Sequence, residues 1–215
     1  MTRRDEGAER PLLLVDIDGV ISLFGRPPRS PHERRAADGS PLDGSFHSIE
    51  GIPHFLSATA AAHLLALAPR FELVWASGWE ERANEHLPHL LGLPGRLPFL
   101  RFPRDGAVAS PDGAAGAPGP QRTLAHWKLQ SIDSYAGERP LAWIDDAFNP
   151  ACHDWAAGRT AATLLVQTEP ELGLTAREAQ RLEQWALELA VGRGTADPRR
   201  AEGLTRTRPR SRTPR

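Results

Sequence analysis

The chain has 215 residues and a mass of 23.5 kDa, room for one α/β domain with extensions but not for two full domains. Hydrophobic residues make up 40% and charged residues 25%, enough to bury a core. No run of eighteen apolar residues occurs, which excludes a membrane-spanning helix.

Residues 1–10 are charged and carry no apolar run before Pro11, so they read as an N-terminal extension rather than a signal peptide. Pro11-Leu-Leu-Leu-Val-Asp16 is a short apolar run that ends in charge, as a buried parallel strand does. Residues 22–53 are rich in Pro, Gly, Ser and Arg without sustained periodicity, which predicts a long flap. Ser57 is placed to cap an Ala/Leu-rich helix that reaches about Ala68 and stops at Pro69. Phe71-Glu-Leu-Val-Trp-Ala76 predicts a second strand. A helix follows from Trp79 to Leu91, with Pro88 disturbing its last turn.

Pro98-Phe-Leu-Arg-Phe102 predicts a short third strand. Residues 103–120 are dominated by Pro, Gly and Ala and predict a long loop. Thr123 is placed to cap a helix carrying Leu124, Trp127, Lys128 and Ile132. Pro140-Leu-Ala-Trp-Ile144 predicts the fourth strand and Ala161-Ala-Thr-Leu-Leu-Val166 the fifth. Thr175 and Glu178 have the spacing of a capping box, ahead of Leu182, Trp185 and Leu189 at helical intervals.

This alternation predicts an α/β, Rossmann-like, doubly wound parallel sheet of about five strands over residues 11–191, covered on both faces. Residues 192–215 are expected to be a disordered tail. From 193 onward that tail holds eight arginines against Asp197 and Glu202, so the net charge of −1 conceals an acidic body and a basic end. The tail is a candidate for RNA phosphate contact or simply a solvated end. Cys152 is the only cysteine, so no internal disulfide forms and a cytoplasmic location is expected.

Ligands of open parallel sheets bind beyond the carboxyl ends of the strands. The first strand delivers Asp16-Ile17-Asp18-Gly19, the second Ser77-Gly78-Trp79, and the fourth Asp145-Asp146. The helix before the fourth strand carries Lys128, the only lysine in the chain. These residue types suit phosphoryl transfer. A carboxylate nucleophile splits the displacement into two easier steps, and Mg²⁺ takes oxygen ligands from separate strands. Asp18 is the candidate proton shuttle, because neighbouring carboxylates favour its protonated form. The Ser77 hydroxyl, the Gly78 amide and the Lys128 ammonium are candidates to hold phosphoryl oxygens. Ile17, Trp79, Arg82 and Asn84 are candidate substrate contacts around the entrance.

Asp16-Ile-Asp-Gly-Val20, Val74-Trp-Ala-Ser77, Lys128 and Trp143-Ile-Asp-Asp146 resemble, in order, the four motifs of the haloacid dehalogenase (HAD) superfamily of phosphohydrolases. The resemblance implies that Asp16 is nucleophile and Mg²⁺ ligand. It implies that Asp18 is general acid/base and binds the metal through its backbone carbonyl. Asp146 would supply the remaining carboxylate ligand, with Asp145 assisting. The spacing leaves no room for a large cap domain, so only the 22–53 flap would cover the site and a bulky phosphorylated substrate is expected, a small molecule or a nucleic-acid end. Trp75-Ala-Ser-Gly-Trp-Glu-Glu-Arg-Ala-Asn84 also resembles HAD domains associated with bacterial RNA repair. Arg122 is the alternative to Lys128. Two other readings of the whole chain remain open: an Asp-x-Asp nucleotide-sugar transferase, which gives Ser77 and Lys128 no role, and a non-catalytic RNA-binding module.

Overall fold

Leu12–Val15 forms β1, and all four side chains are wholly buried. Successive side chains on a strand point to opposite faces, so an unbroken apolar strand needs cover on both. Leu13 and Val15 pack with Ala60, Leu64, Leu182 and Ala186 on one face, whereas Leu12 and Leu14 pack with Ile132, Ala136 and Cys152 on the other. The computed structural model that shows this describes residues 10–23, 39, 42–103 and 124–195. The predicted loop from 104 on, the Thr123 cap, Arg122, most of residues 24–41 and the tail from 196 lie outside the described residues.

The remaining strands are β2 (Ser22–Leu23), β3 (Gly44–Ile49), β4 (Ile52–Ser57), β5 (Glu72–Trp75), β6 (Leu141–Asp145) and β7 (Thr163–Gln167). The helices are α1 (Ala58–Leu67), α2 (Arg82–Leu91), α3 (Leu129–Ala136), α4 (Pro150–Gly158) and α5 (Ala176–Thr195). A four-stranded parallel sheet runs in the order β5-β1-β6-β7. The chain leaves β1 towards β5 on one side and later leaves β6 towards β7 on the other. The strand order therefore reverses between β1 and β6, the place where such sheets bind ligands.

Three expectations change. The third strand reduces to an isolated bridge between Phe99 and Trp75, held by Trp75 N–H to Pro98 O and Leu100 N–H to Trp75 O. Proline at 98 has no N–H to extend the ladder. The flap is ordered where it is described: β2, β4 and β3 make an antiparallel sheet, and the β3–β4 hairpin turns at Glu50-Gly51 with φ of 53° and 80°. Positive φ at both central residues suits the right-handed twist of the hairpin. Finally, Asn149 caps α4 with Pro150 in its first turn, a helix the sequence pattern had not suggested.

Candidate active site

Asp16 follows β1 directly, and its N–H donates to the Ile144 carbonyl of the neighbouring strand. Pairing of Val15 with both Trp75 and Ile144 brings the ends of β1, β5 and β6 to one level. Asp16, Ser77 and Asp145 are all buried there. Oxygens of Asp16, Asp145 and Asp146 lie within 4.8 Å of one another. Opposite them, a 3-10 turn over Ala125–Lys128 ends in Lys128, whose Nζ lies 2.8 Å from Asp16 Oδ2 and 2.7 Å from Asp145 Oδ2. That turn is tied to the acidic loop by Ala125 N–H to the Ala147 carbonyl, at 2.9 Å.

Three carboxylates face one ammonium, so the cluster carries excess negative charge in a place poor in water. Burial alone would lower the Lys128 pKa, but Asp16 and Asp145 more than reverse this and the side chain stays firmly cationic. Burial, then repulsion from Asp145 and Asp16, raises Asp146 to about 6. Burial raises Asp145 too, while Lys128 pulls it down. Asp145 keeps the ammonium of Lys128 within hydrogen-bond reach, whereas Asp146 is repelled by both neighbouring carboxylates. Oxygen donors with surplus negative charge around one point are what a hard divalent cation requires. The residues present fit Mg²⁺.

The turn after Asp16 is set by its neighbours. Gly19 has φ 72°, and a Cβ there would collide with the Asp146 carboxylate. Thr168 Oγ1 donates to the Gly19 carbonyl at 2.8 Å, Leu174 N–H donates to the Val20 carbonyl, and Gln167 donates to the Asp146 carbonyl. Gly19→Ala is therefore expected to displace Asp146 and raise the Mg²⁺ concentration needed for half-maximal binding by about ten-fold or more, measured by calorimetry. Thr168 and Gln167 were not singled out from sequence, since nothing local marks residues that reach across the sheet.

Asp18 accepts from Trp79 Nε1 at 2.9 Å. Burial, then Asp16, raises its pKa above the ordinary carboxylate value, against the opposing pull of the Trp79 bond and of His54. The Trp79 ring meets His54 edge-on, with centroids 5.0 Å apart, and His54 Nδ1 is 2.8 Å from Ser22 Oγ. The flap thus supplies a wall beside Asp18 that the sequence reading did not foresee. The Ile17 amide donates to Asp16 Oδ1 at 2.8 Å. Gly78 is exposed beside the cluster, with Trp127 3.9 Å from where a Cβ would stand.

Two candidates have their side chains held by bonds within the protein. Arg82 bonds Glu50 at the hairpin tip, at 2.8 Å, and joins the flap to α2. Asn84 accepts from Trp75 Nε1 and from Leu97 N–H and donates to the Leu97 carbonyl, clamping the segment that follows α2.

A family model described as "HAD domain in Swiss Army Knife RNA repair proteins" matches residues 12–179. No curated protein and no solved structure matches the chain.

Proposed function

We propose that this chain, which belongs to the HAD domains in Swiss Army Knife RNA repair proteins, is a Mg²⁺-dependent phosphatase that hydrolyses a phosphomonoester through an aspartyl-phosphate. The observation that carries the reading is the convergence of Asp16, Asp145 and Asp146 from two strand ends, with Lys128 bridging Asp16 and Asp145.

Asp16 attacks phosphorus, and the leaving oxygen takes a proton from Asp18, whose raised pKa suits a general acid. Asp18 then removes a proton from the water that cleaves the acyl phosphate. Lys128 keeps its charge throughout and offsets the negative charge shared by Asp16 and the phosphoryl group. Ser77 and the Gly78 amide, at the neighbouring strand end, hold phosphoryl oxygens. Asp16, the Asp18 carbonyl and Asp146 would hold Mg²⁺, with Asp145 orienting Lys128. The cation, when bound, supplies charge stabilisation to the phosphoryl oxygens. On this reading the substrate is a phosphorylated nucleic-acid end or a related nucleotide, supported by a family description that names RNA repair proteins. No helix among the described residues is long and apolar enough to cross a membrane.

The purified protein is expected to hydrolyse a generic aryl phosphate with Mg²⁺, to lose at least about 100-fold of that rate in a chelator, and to regain it when Mg²⁺ is restored. Sugar-nucleotide hydrolysis without any phosphatase activity would refute the reading in favour of a transferase-type site.

A further inference from the structure

Beyond the acidic cluster lies a cavity of about 520 Å³, within the size range of small-molecule sites. It begins where the proposed phosphate site ends. Gly78 and Trp79, which line it, follow Ser77; Trp127, which also lines it, precedes Lys128. Lys128 Nζ is 5.7 Å from the centre of the Trp127 ring and 2.8 Å from Asp16 Oδ2. Phe102 completes an aromatic wall, edge-on to Trp127 at 4.5 Å between centroids.

Among the described residues, the charges around this wall select against a second phosphate. Arg82 is paired with Glu50, and Arg101 with Glu81, so the arginines at the cavity are already balanced. Glu80 accepts from Phe102 N–H, and Glu85 stands exposed on α2. An aromatic cavity with a slight carboxylate excess suits a planar, uncharged ring bearing amino hydrogens. A polyphosphate would be repelled, and an aliphatic alcohol would leave the rings in water.

We infer that this cavity is the leaving-group subsite and that it takes a nucleobase, stacked among Trp79, Phe102 and Trp127, one sugar away from phosphorus. This rests on the phosphatase reading for the position of the phosphate. A free nucleotide and an oligonucleotide end present the same chemistry here.

The test is calorimetric binding to full-length Asp16→Asn protein with Mg²⁺, which needs no turnover. Adenosine 5′-monophosphate or adenosine 3′-monophosphate is expected to bind about ten-fold or more tightly than ribose 5-phosphate, the scale of one base–aromatic stack. Trp127→Leu and Phe102→Leu are each expected to shrink that difference, with melting curves reporting whether either variant has unfolded. Equal affinity for nucleotides and ribose phosphate overturns the subsite. A preserved difference in a protein that hydrolyses no phosphate ester keeps the subsite and sinks the phosphatase instead. Tighter binding of a phosphorylated tetranucleotide than of either mononucleotide identifies a nucleic-acid end as the source, and equal binding a free nucleotide.

Discussion

Asp16→Asn is expected to reduce Mg²⁺-dependent phosphatase turnover by about 10⁴-fold or more, the scale of losing a covalent nucleophile. It is also expected to leave the metal-free protein at least as stable as the wild type. The two effects have one origin. Asparagine keeps the size of Asp16 and an oxygen that can accept from the Ile17 amide, but it cannot attack phosphorus. Removing its charge relieves a cluster with more carboxylates than Lys128 balances, while the Lys128–Asp145 pair survives.

The pH profile separates this account from simple damage. In the folded wild type Asp146 titrates at about 6, against 3.8 ordinarily. Between those values the folded state holds a proton that the unfolded chain has released, so metal-free stability falls as pH rises through the window and levels off above it. Mg²⁺ is expected to restore stability at neutral pH, since a cation that binds the ionised cluster of the folded state favours that state. In Asp16→Asn the decline should be shallower, since Asp16 is one of the groups that raises Asp146. Thermal melts in chelator from pH 4 to 8, beside steady-state kinetics, read both halves. A variant that melts well below the wild type at every pH contradicts the charge argument.

The strands of the parallel sheet were legible because burial on both faces demands apolar runs, and each run breaks where a polar end is needed. Asp16, Asp145 and Asp146 stand at such breaks, so their convergence follows from parallel pairing of β1 with β6. The β3–β4 hairpin was not legible. Its turn is Glu50-Gly51 rather than Asn-Gly or Asp-Gly, and the exposure pattern of β3 does not alternate cleanly. The signal for α4 was present in Asn149-Pro150, a cap followed by a proline in the first turn, but it lay in a stretch too short for periodicity to register. Around the site, what escaped the sequence was partnership across the fold. Position suggested Arg82 and Asn84 as entrance residues but not their partners: Arg82 lines the cavity while bonded to Glu50, and Asn84 is bonded to Leu97. Trp127, next to Lys128 in sequence, both packs against the core and lines the cavity beside Gly78.

Lys128→Met tests the electrostatic centre from the other side. Methionine matches much of the lysine stem but supplies no charge, so Asp16 and Asp145 would face each other with no buried cation between them. Breaking a buried ion pair by removing one partner costs about 3–5 kcal/mol, because the remaining charge has neither water nor a partner. The loss should grow with pH. At pH 5 Asp145 and Asp146, both raised by burial, can take protons and relieve the repulsion, whereas at pH 8 they cannot, so the variant should melt lowest in alkaline buffer without metal. Mg²⁺ should stabilise it more than it stabilises the wild type, since the cation then meets carboxylates that no ammonium offsets. Activity should remain low even with saturating Mg²⁺, because nothing then neutralises the charge between Asp16 and phosphorus. Lys128→Arg should restore part of the stability but little of the rate: a planar guanidinium carries the charge but not the compact geometry that reaches one oxygen at 2.8 Å and another at 2.7 Å. If Lys128→Met instead melts like the wild type at every pH, the ammonium does not hold the two strand ends together, and the charge balance assigned to Asp16, Asp145 and Asp146 fails with it.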